Sequence, residues 1–235
     1  LSSAQLTILL TMILIAHTFP IELKIAQKAG VRFGFMLLFR FGCGIVFGMI
    51  LSFIYSTFNM LQEPVQLSKA LVVHDPSWKA WVLNELKNYM IIICIIFSLI
   101  LAMRILELTG FMRRINQALH PIIKTLGISD EVLPITLIGL TLGIAYGGGL
   151  VIEESRRKQI KPKDIFYSLI LMGLFHSIFE DTLLMLGMGG HYSGIIIFRF
   201  VMAFIITFAI VRLTKNMKDE TFNRIFITKN YIKKI

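Results

Sequence analysis

The chain has 235 residues, 56% hydrophobic and 16% charged, with a mean hydropathy of +0.75. Soluble domains carry about 25% charged residues, so the composition excludes a soluble globular protein and indicates an integral membrane protein of one domain. The net charge of +10 does not indicate nucleic acid, because the Lys and Arg residues stand at the ends of apolar runs and in the C-terminal tail, as the positive-inside rule expects.

Segment A (5–22) is apolar but contains His17, Pro20 and Glu22. Pro20 lacks a backbone donor and clashes with the preceding turn, which predicts a break or kink nearby. Freed backbone beside a His and a carboxylate is how transporter sites are often made. The blander alternative is that Glu22 marks the cytoplasmic end of the segment beside Lys24. Segment B (33–58) carries Arg40. The mixed stretch 59–88 holds Pro64, Pro76, Trp78 and Trp81, and the tryptophans suit a membrane interface. Segment C (89–106) follows, then an amphipathic helix from Phe111 that is predicted to end near Pro121.

Segment D (132–150) ends in Tyr146-Gly147-Gly148-Gly149. It lacks the Lys-Ser/Thr of a phosphate loop and reads as backbone that approaches a substrate closely. Segment E (165–187) holds His176, Glu180 and Asp181. His176 and Glu180, four apart, are predicted to share one helix face. Such a pair can share a proton, ligate a cation or hydrogen-bond a polar solute. Segment F (194–213) carries Arg199. Cys43 and Cys94 stand singly in apolar runs and read as packing residues. His74, His120 and His191 fall in loops or at interfaces and carry no assigned role.

A shift of 159 positions superposes His17-Thr18 on His176-Ser177, Glu22 on Asp181, Gly30 on Gly189 and Phe39-Arg40-Phe41 on Phe198-Arg199-Phe200, without a gap. Matched polar positions in lipid-grade sequence point to function. They define an internal repeat, with copy one over about 1–50 and copy two over about 160–210. Arg40 and Arg199 either snorkel to the interface or serve as fixed partners of Glu22, Asp181 or an anionic substrate. Copy one has no counterpart of the glycine element. That predicts either a truncated chain or a separate membrane subunit, with a homodimer as a further expectation.

Lys24, Lys28 and Arg32 lie in the A–B turn, and Arg113, Arg114 and Lys124 between C and D. Arg156, Arg157, Lys158, Lys161 and Lys163 lie between D and E, and Arg212, Lys215 and Lys218 after F. All four stretches are predicted to be cytoplasmic, including the C-terminus, and the Lys- and Arg-free E–F turn external. Both flanks of D then lie on one side, so D is predicted to re-enter with a glycine-rich tip. The expected fold is an all-α membrane protein: a polytopic bundle of five spanning helices plus one re-entrant element. Its two copies form an inverted repeat with broken helices, a transporter architecture.

Ala145-Tyr146-Gly147-Gly148-Gly149-Leu150, Glu153-Glu154, and Leu174-Phe175-His176-Ser177-Ile178-Phe179-Glu180-Asp181-Thr182 resemble the nucleoside-recognition or gate domain family of bacterial membrane proteins. This family includes spore maturation proteins A and B, gate segments of ferrous-iron transporters and part of concentrative nucleoside transporters. His17-Thr18-Phe19-Pro20-Ile21-Glu22 is similar to the matching element of the first half, and the gate-like region covers about 115–190. The resemblance implies a helical inner-membrane protein with a transporter-like core.

The leading expectation is a permease for a small polar solute, a nucleoside or related organic molecule, coupled to H⁺ or Na⁺. Its site is expected from His17, Glu22, Tyr146, Gly147, Gly148, Gly149, His176, Glu180 and Asp181, with Arg40 and Arg199 pairing charge. The alternatives are a divalent-metal permease component using His17, His176, Glu180 and Asp181, a structural or regulatory membrane partner, and an intramembrane enzyme. No Ser nucleophile motif or His-Glu-x-x-His stands in the chain to favour the last.

Overall fold

Two kinds of residue dictate this architecture: long apolar runs that form helices, and a few polar or glycine positions that break them. The computed structural model describes residues 1–65, 77–155, 160–228 and 231. His74, Pro76, Arg156, Arg157 and Lys158 lie outside the described residues.

Helix α1 (Ser3–Ala16) starts at a capping box in which Ser2 Oγ accepts from Gln5 N and Gln5 Oε1 accepts from Ser2 N. It stops at His17, and α2 (Phe19–Lys28) continues with Pro20 in its first turn, where the missing N–H costs nothing. Next come α3 (Phe33–Thr57), α4 (Trp78–Leu108) and α5 (Phe111–Thr125). Then follow α6 (Leu133–Leu142), α7 (Ile144–Ser155), α8 (Pro162–Leu174) and α9 (Glu180–Gly187). A π-helical turn, Ser193–Phe198, leads into α10 (Arg199–Lys215), and α11 (Asp219–Phe226) closes the order.

Among the described residues four stretches are long and apolar enough to cross a membrane: Ser3–Lys28, Phe33–Thr57, Trp78–Leu106 and Ser193–Lys215. Three expectations change here. Segment E is not one long helix, because residues 175–179 divide it into α8 and α9. Pro121 does not end α5, which runs on to Thr125. The turn in segment D falls at Gly143, φ +93°, and not at the glycine triplet, which lies within α7.

Helices α1 and α8 start at opposite ends of the bundle. The start of α1 meets the α9–α10 turn, where His191 N donates to Thr7 Oγ1 (2.9 Å). The end of α3 arrives there too, through a Tyr55–Ser193 hydroxyl contact of 2.6 Å. The start of α8 lies at the other end, where Lys163 Nζ donates to Met217 O (2.7 Å) and pairs with Asp219 at 2.7 Å. That ion pair holds the exposed Asp219 carboxyl below its ordinary pKa. The α2–α3 turn is tied to the same end, since Arg32 N donates to Phe226 O (2.8 Å) and Arg32 Nε to Ile227 O (3.0 Å).

Helices α6 and α7 form a hairpin whose tip reaches the interior. Ile178 N donates to Leu140 O (2.9 Å), and a side chain at Gly143 would strike Ser177 Oγ. The far end of α7 returns to the basic end, where the Tyr231 hydroxyl donates to Ser155 O. The core lies around α6 and α8, with Leu140, Phe166, Ile170, Leu171 and Leu174 fully or almost fully buried.

Gly30 closes the α2–α3 turn at φ +113°, with the Tyr231 ring 2.8 Å from where a Cβ would stand. Gly30→Ala therefore combines a left-handed penalty of about 1–2 kcal/mol with a clash. It is expected to lower the thermal midpoint of the detergent-solubilised protein. Gly34→Ala, with no neighbour within 4 Å of its Cβ position, should leave the midpoint unchanged or slightly raised; equal midpoints for the two variants would contradict this account of the turn.

Candidate functional site

The site forms where the two helix breaks meet. In each copy the break is made by one residue in the left-handed region: Thr18 at φ +50° and Ser177 at φ +47°. A helix end leaves four carbonyls without intrahelical donors, and an apolar interior supplies no water to satisfy them. His17 Nδ1 lies 3.2 Å from Ile13 O and 3.1 Å from Leu14 O, and His176 Nδ1 lies 2.8 Å from Met172 O. Arg40 donates from Nε to Ile15 O (2.9 Å) and from Nη2 to His17 O (3.3 Å). Arg199 donates from Nε to Leu174 O (3.0 Å) and from Nη2 to His176 O (2.9 Å). The repeated His-to-Arg spacing is thus the spacing at which one helix caps the carbonyls of a broken neighbour. Arg40 and Arg199 are 1% and 0% exposed, which overturns the snorkelling alternative.

The carboxylates sit in the first turns of the resumed helices, Glu22 in α2 and Asp181 in α9. There the N-terminal end of the helix dipole favours negative charge. Each approaches the histidine of the opposite copy. His176 Nε2 is 3.1 Å from Glu22 Oε1, and His17 Nε2 is 3.4 Å from Asp181 Oδ2. His176 Nε2 also lies 3.7 Å from Asp181 Oδ2, and the two imidazoles stack with centroids 5.1 Å apart. Arg40 Nη1 donates to Glu22 Oε2, so Glu22 is a buried partner and not merely the marker of a helix end. Arg199 Nη1 is buried without a hydrogen-bond partner among the described residues. Phe19 and Phe175 lie under the two guanidinium groups at 5.3 and 5.1 Å.

The copies differ in cover. His176 and Glu22, beside the α6–α7 hairpin, are 1% and 4% exposed. Their counterparts His17 and Asp181 are 21% and 17% exposed, so the cluster opens on the side of α1 and α9.

Of the remaining predicted residues, Glu180, Gly148 and Gly149 fall outside the cluster. His176 lies in the break and Glu180 begins α9, so the two do not share a helix face as their spacing suggested. Among the described residues Glu180 makes no ion pair with the cluster. Gly148 brings α7 onto α2, since a Cβ there would lie 2.5 Å from Ile25 Cδ1. Gly149 has nothing within 4 Å of its Cβ position. Gly148 acts in helix packing, and Gly143 is the glycine at the break. Gly147 and Tyr146 lie on α7, and the Tyr146 side chain is outside what the structure describes. Sequence reasoning missed the contribution of Ser177 and Thr18 as hinges. Their signal was their alignment at the same place in both copies. An apolar groove along α4, lined by Met90, Ile91 and Cys94, and a polar one at α5–α6, lined by Asn116, His120 and Asp130, contain none of these groups.

Arg199→Met should leave the Leu174 and His176 carbonyls without donors, at about 1–3 kcal/mol for each unsatisfied buried group. The expected result is a markedly lower thermal midpoint. Arg199→Lys should restore it only in part, because an ammonium cannot reproduce the planar fork. A methionine variant as stable as the parent would show that the capping contacts do not hold the break.

The chain matches no protein-family model and no solved structure. It is similar to the uncharacterized membrane protein YvoD of Bacillus subtilis (strain 168), with 25% identity over 224 residues covering 94% of this chain and 72% of the relative. Together with the four apolar helices, this makes the chain a helical membrane protein.

Proposed function

We propose that this protein is a permease that passes a small polar solute, a nucleoside or a related organic molecule, through the cluster at the two helix breaks, with H⁺ or Na⁺ as the coupling ion. The observation that carries this is the crossed pairing of His17 with Asp181 and His176 with Glu22. Ionisable groups inside apolar sequence are costly and mark solute or proton paths. Oppositely directed repeats with broken helices are the frame in which such paths occur. The motif resemblance to gate domains supports the same reading. The cluster offers both donors and acceptors to a solute, and its opening beside α1 and α9 gives it a way in.

The basic end of the bundle faces the cytoplasm of a bacterial cell, with the C-terminus on that side. The α6–α7 hairpin re-enters from there, and α8 with α9 forms a fifth crossing. The α2–α3 turn, the start of α8 and the tail after α10 meet at one end, with Lys163 and Arg32 both tied to residues 217–227, which supports this orientation. In a background with Cys43→Ala and Cys94→Ala, Lys161→Cys should react with a membrane-impermeant thiol reagent only after the cytoplasmic face is opened. Labelling in intact cells would reverse the orientation.

For transport, purified protein in liposomes should take up a member of a nucleoside and organic-acid panel under an imposed pH or Na⁺ gradient. Glu22→Gln and Asp181→Asn should cut that uptake at least tenfold while inserting normally. Undiminished uptake by the double variant would sink the proposal.

A further inference from the structure

We infer that His17, His176 and Asp181 form a divalent transition-metal site that joins the two repeats. Both Nδ1 atoms face backbone carbonyls, at Ile13 and Leu14 for His17 and at Met172 for His176. A carbonyl only accepts, so Nδ1 carries the hydrogen in each ring. In the neutral imidazoles this leaves a bare lone pair on each Nε2. Those lone pairs are turned toward acceptors. One ligand atom from each of His17, His176 and Asp181 lies within 4.8 Å of the other two, with the Nε2 atoms 3.4 and 3.7 Å from Asp181 Oδ2. His176 Nε2 and Asp181 Oδ2 are buried without a hydrogen-bond partner among the described residues. With both imidazoles neutral, three converging electron-pair donors repel; a proton on one ring or a metal cation among them relieves this, and the stacking of the two rings 5.1 Å apart disfavours a positive charge on both.

The chemistry of the set names the class of cation. Two imidazoles and one carboxylate suit Zn²⁺ and its neighbours, and poorly suit Na⁺ or Mg²⁺, which prefer oxygen. The 3.4 Å from His17 Nε2 to Asp181 Oδ2 is close to the edge of a tetrahedron with bonds of about 2.1 Å. A carbonyl hydrogen-bonded to Nδ1 is the usual outer contact that fixes a metal-binding histidine. Glu22 is held by Arg40, which leaves Asp181 as the charge available to the ion. The exposed edges of His17 and Asp181 provide entry and an open coordination position. Because the ligands must be free of protons, binding weakens in acid. The other charged groups facing the ion, Glu22 from α2, Arg40 from α3 and Arg199 from α10, set how steeply.

This inference rests on the reading of the helix breaks as the binding centre, and does not require that the protein transports. The test uses tag-free, chelator-stripped protein in detergent, titrated with Zn²⁺ by calorimetry and with Co²⁺ by visible absorption. One ion per chain is expected, with Co²⁺ bands of nitrogen and oxygen coordination. Asp181→Asn and His17→Gln should each weaken binding at least tenfold. Glu180→Gln, one residue from a ligand but outside the cluster, should bind as the parent does, and also reports whether the fold tolerates a substitution there. Absence of stoichiometric binding by the parent, or unchanged binding by Asp181→Asn, overturns the inference. Solute uptake by parent protein that takes up no metal would retain the permease and remove the metal site. Stoichiometric metal binding without any solute uptake would do the reverse.

Discussion

The structure depends on supplying hydrogen-bond donors to carbonyl groups exposed by two broken helices in an apolar interior. Water would ordinarily do this, and its exclusion makes each unpaired group costly. Here Arg40 and Arg199 do it from neighbouring helices, and His17 and His176 do it from within the breaks. Once those four side chains are committed to the backbone, much else follows. Their remaining polar atoms point to the centre, the carboxylates of the resumed helices are drawn to them, and the two copies become linked through their charges.

The linkage crosses between copies. Glu22 and Asp181 each approach the histidine of the other repeat. Two acids and two arginines balance formally, so the cluster can be buried without a net charge when the histidines are neutral. The balance is not even in space. Glu22 has a direct arginine partner, whereas Arg199 keeps one unpaired nitrogen and Asp181 faces imidazoles. The hairpin of α6 and α7 covers His176 and Glu22, which concentrates accessibility on the other two members.

Much of this was legible in the sequence, because polar residues are rare in such a chain and each one had to be explained. The matched His, acid and Arg positions named all six members of the cluster, His17 with His176, Glu22 with Asp181 and Arg40 with Arg199. What periodicity could not reveal was the second break. Nothing like Pro20 stands in copy two, so His176 and Glu180 read as neighbours on an unbroken helix. The break arises from tertiary bonds, Ile178 N to Leu140 O among them, that no local pattern encodes. The glycine triplet misled for a related reason. Three glycines suggest a turn, but Gly143, alone in an apolar run, has the positive φ, while Gly148 permits α7 to approach Ile25. Charge at the segment ends was informative because it needs no contact geometry to interpret.

Thr18 and Ser177 hold backbone angles that cost a non-glycine residue roughly 1–2 kcal/mol, and what can relax that strain differs between them. Beyond Thr18 stands Pro20, whose ring and missing N–H keep the helix from closing through it at about 3 kcal/mol. Its counterpart beyond Ser177 is Phe179, which has an ordinary amide. The first junction is therefore a fixed elbow, set by covalent chemistry. The second has no such lock and is held bent by tertiary contacts, Ile178 N to Leu140 O among them. The two junctions thus share one backbone geometry, fixed in one copy by covalent structure and in the other by packing.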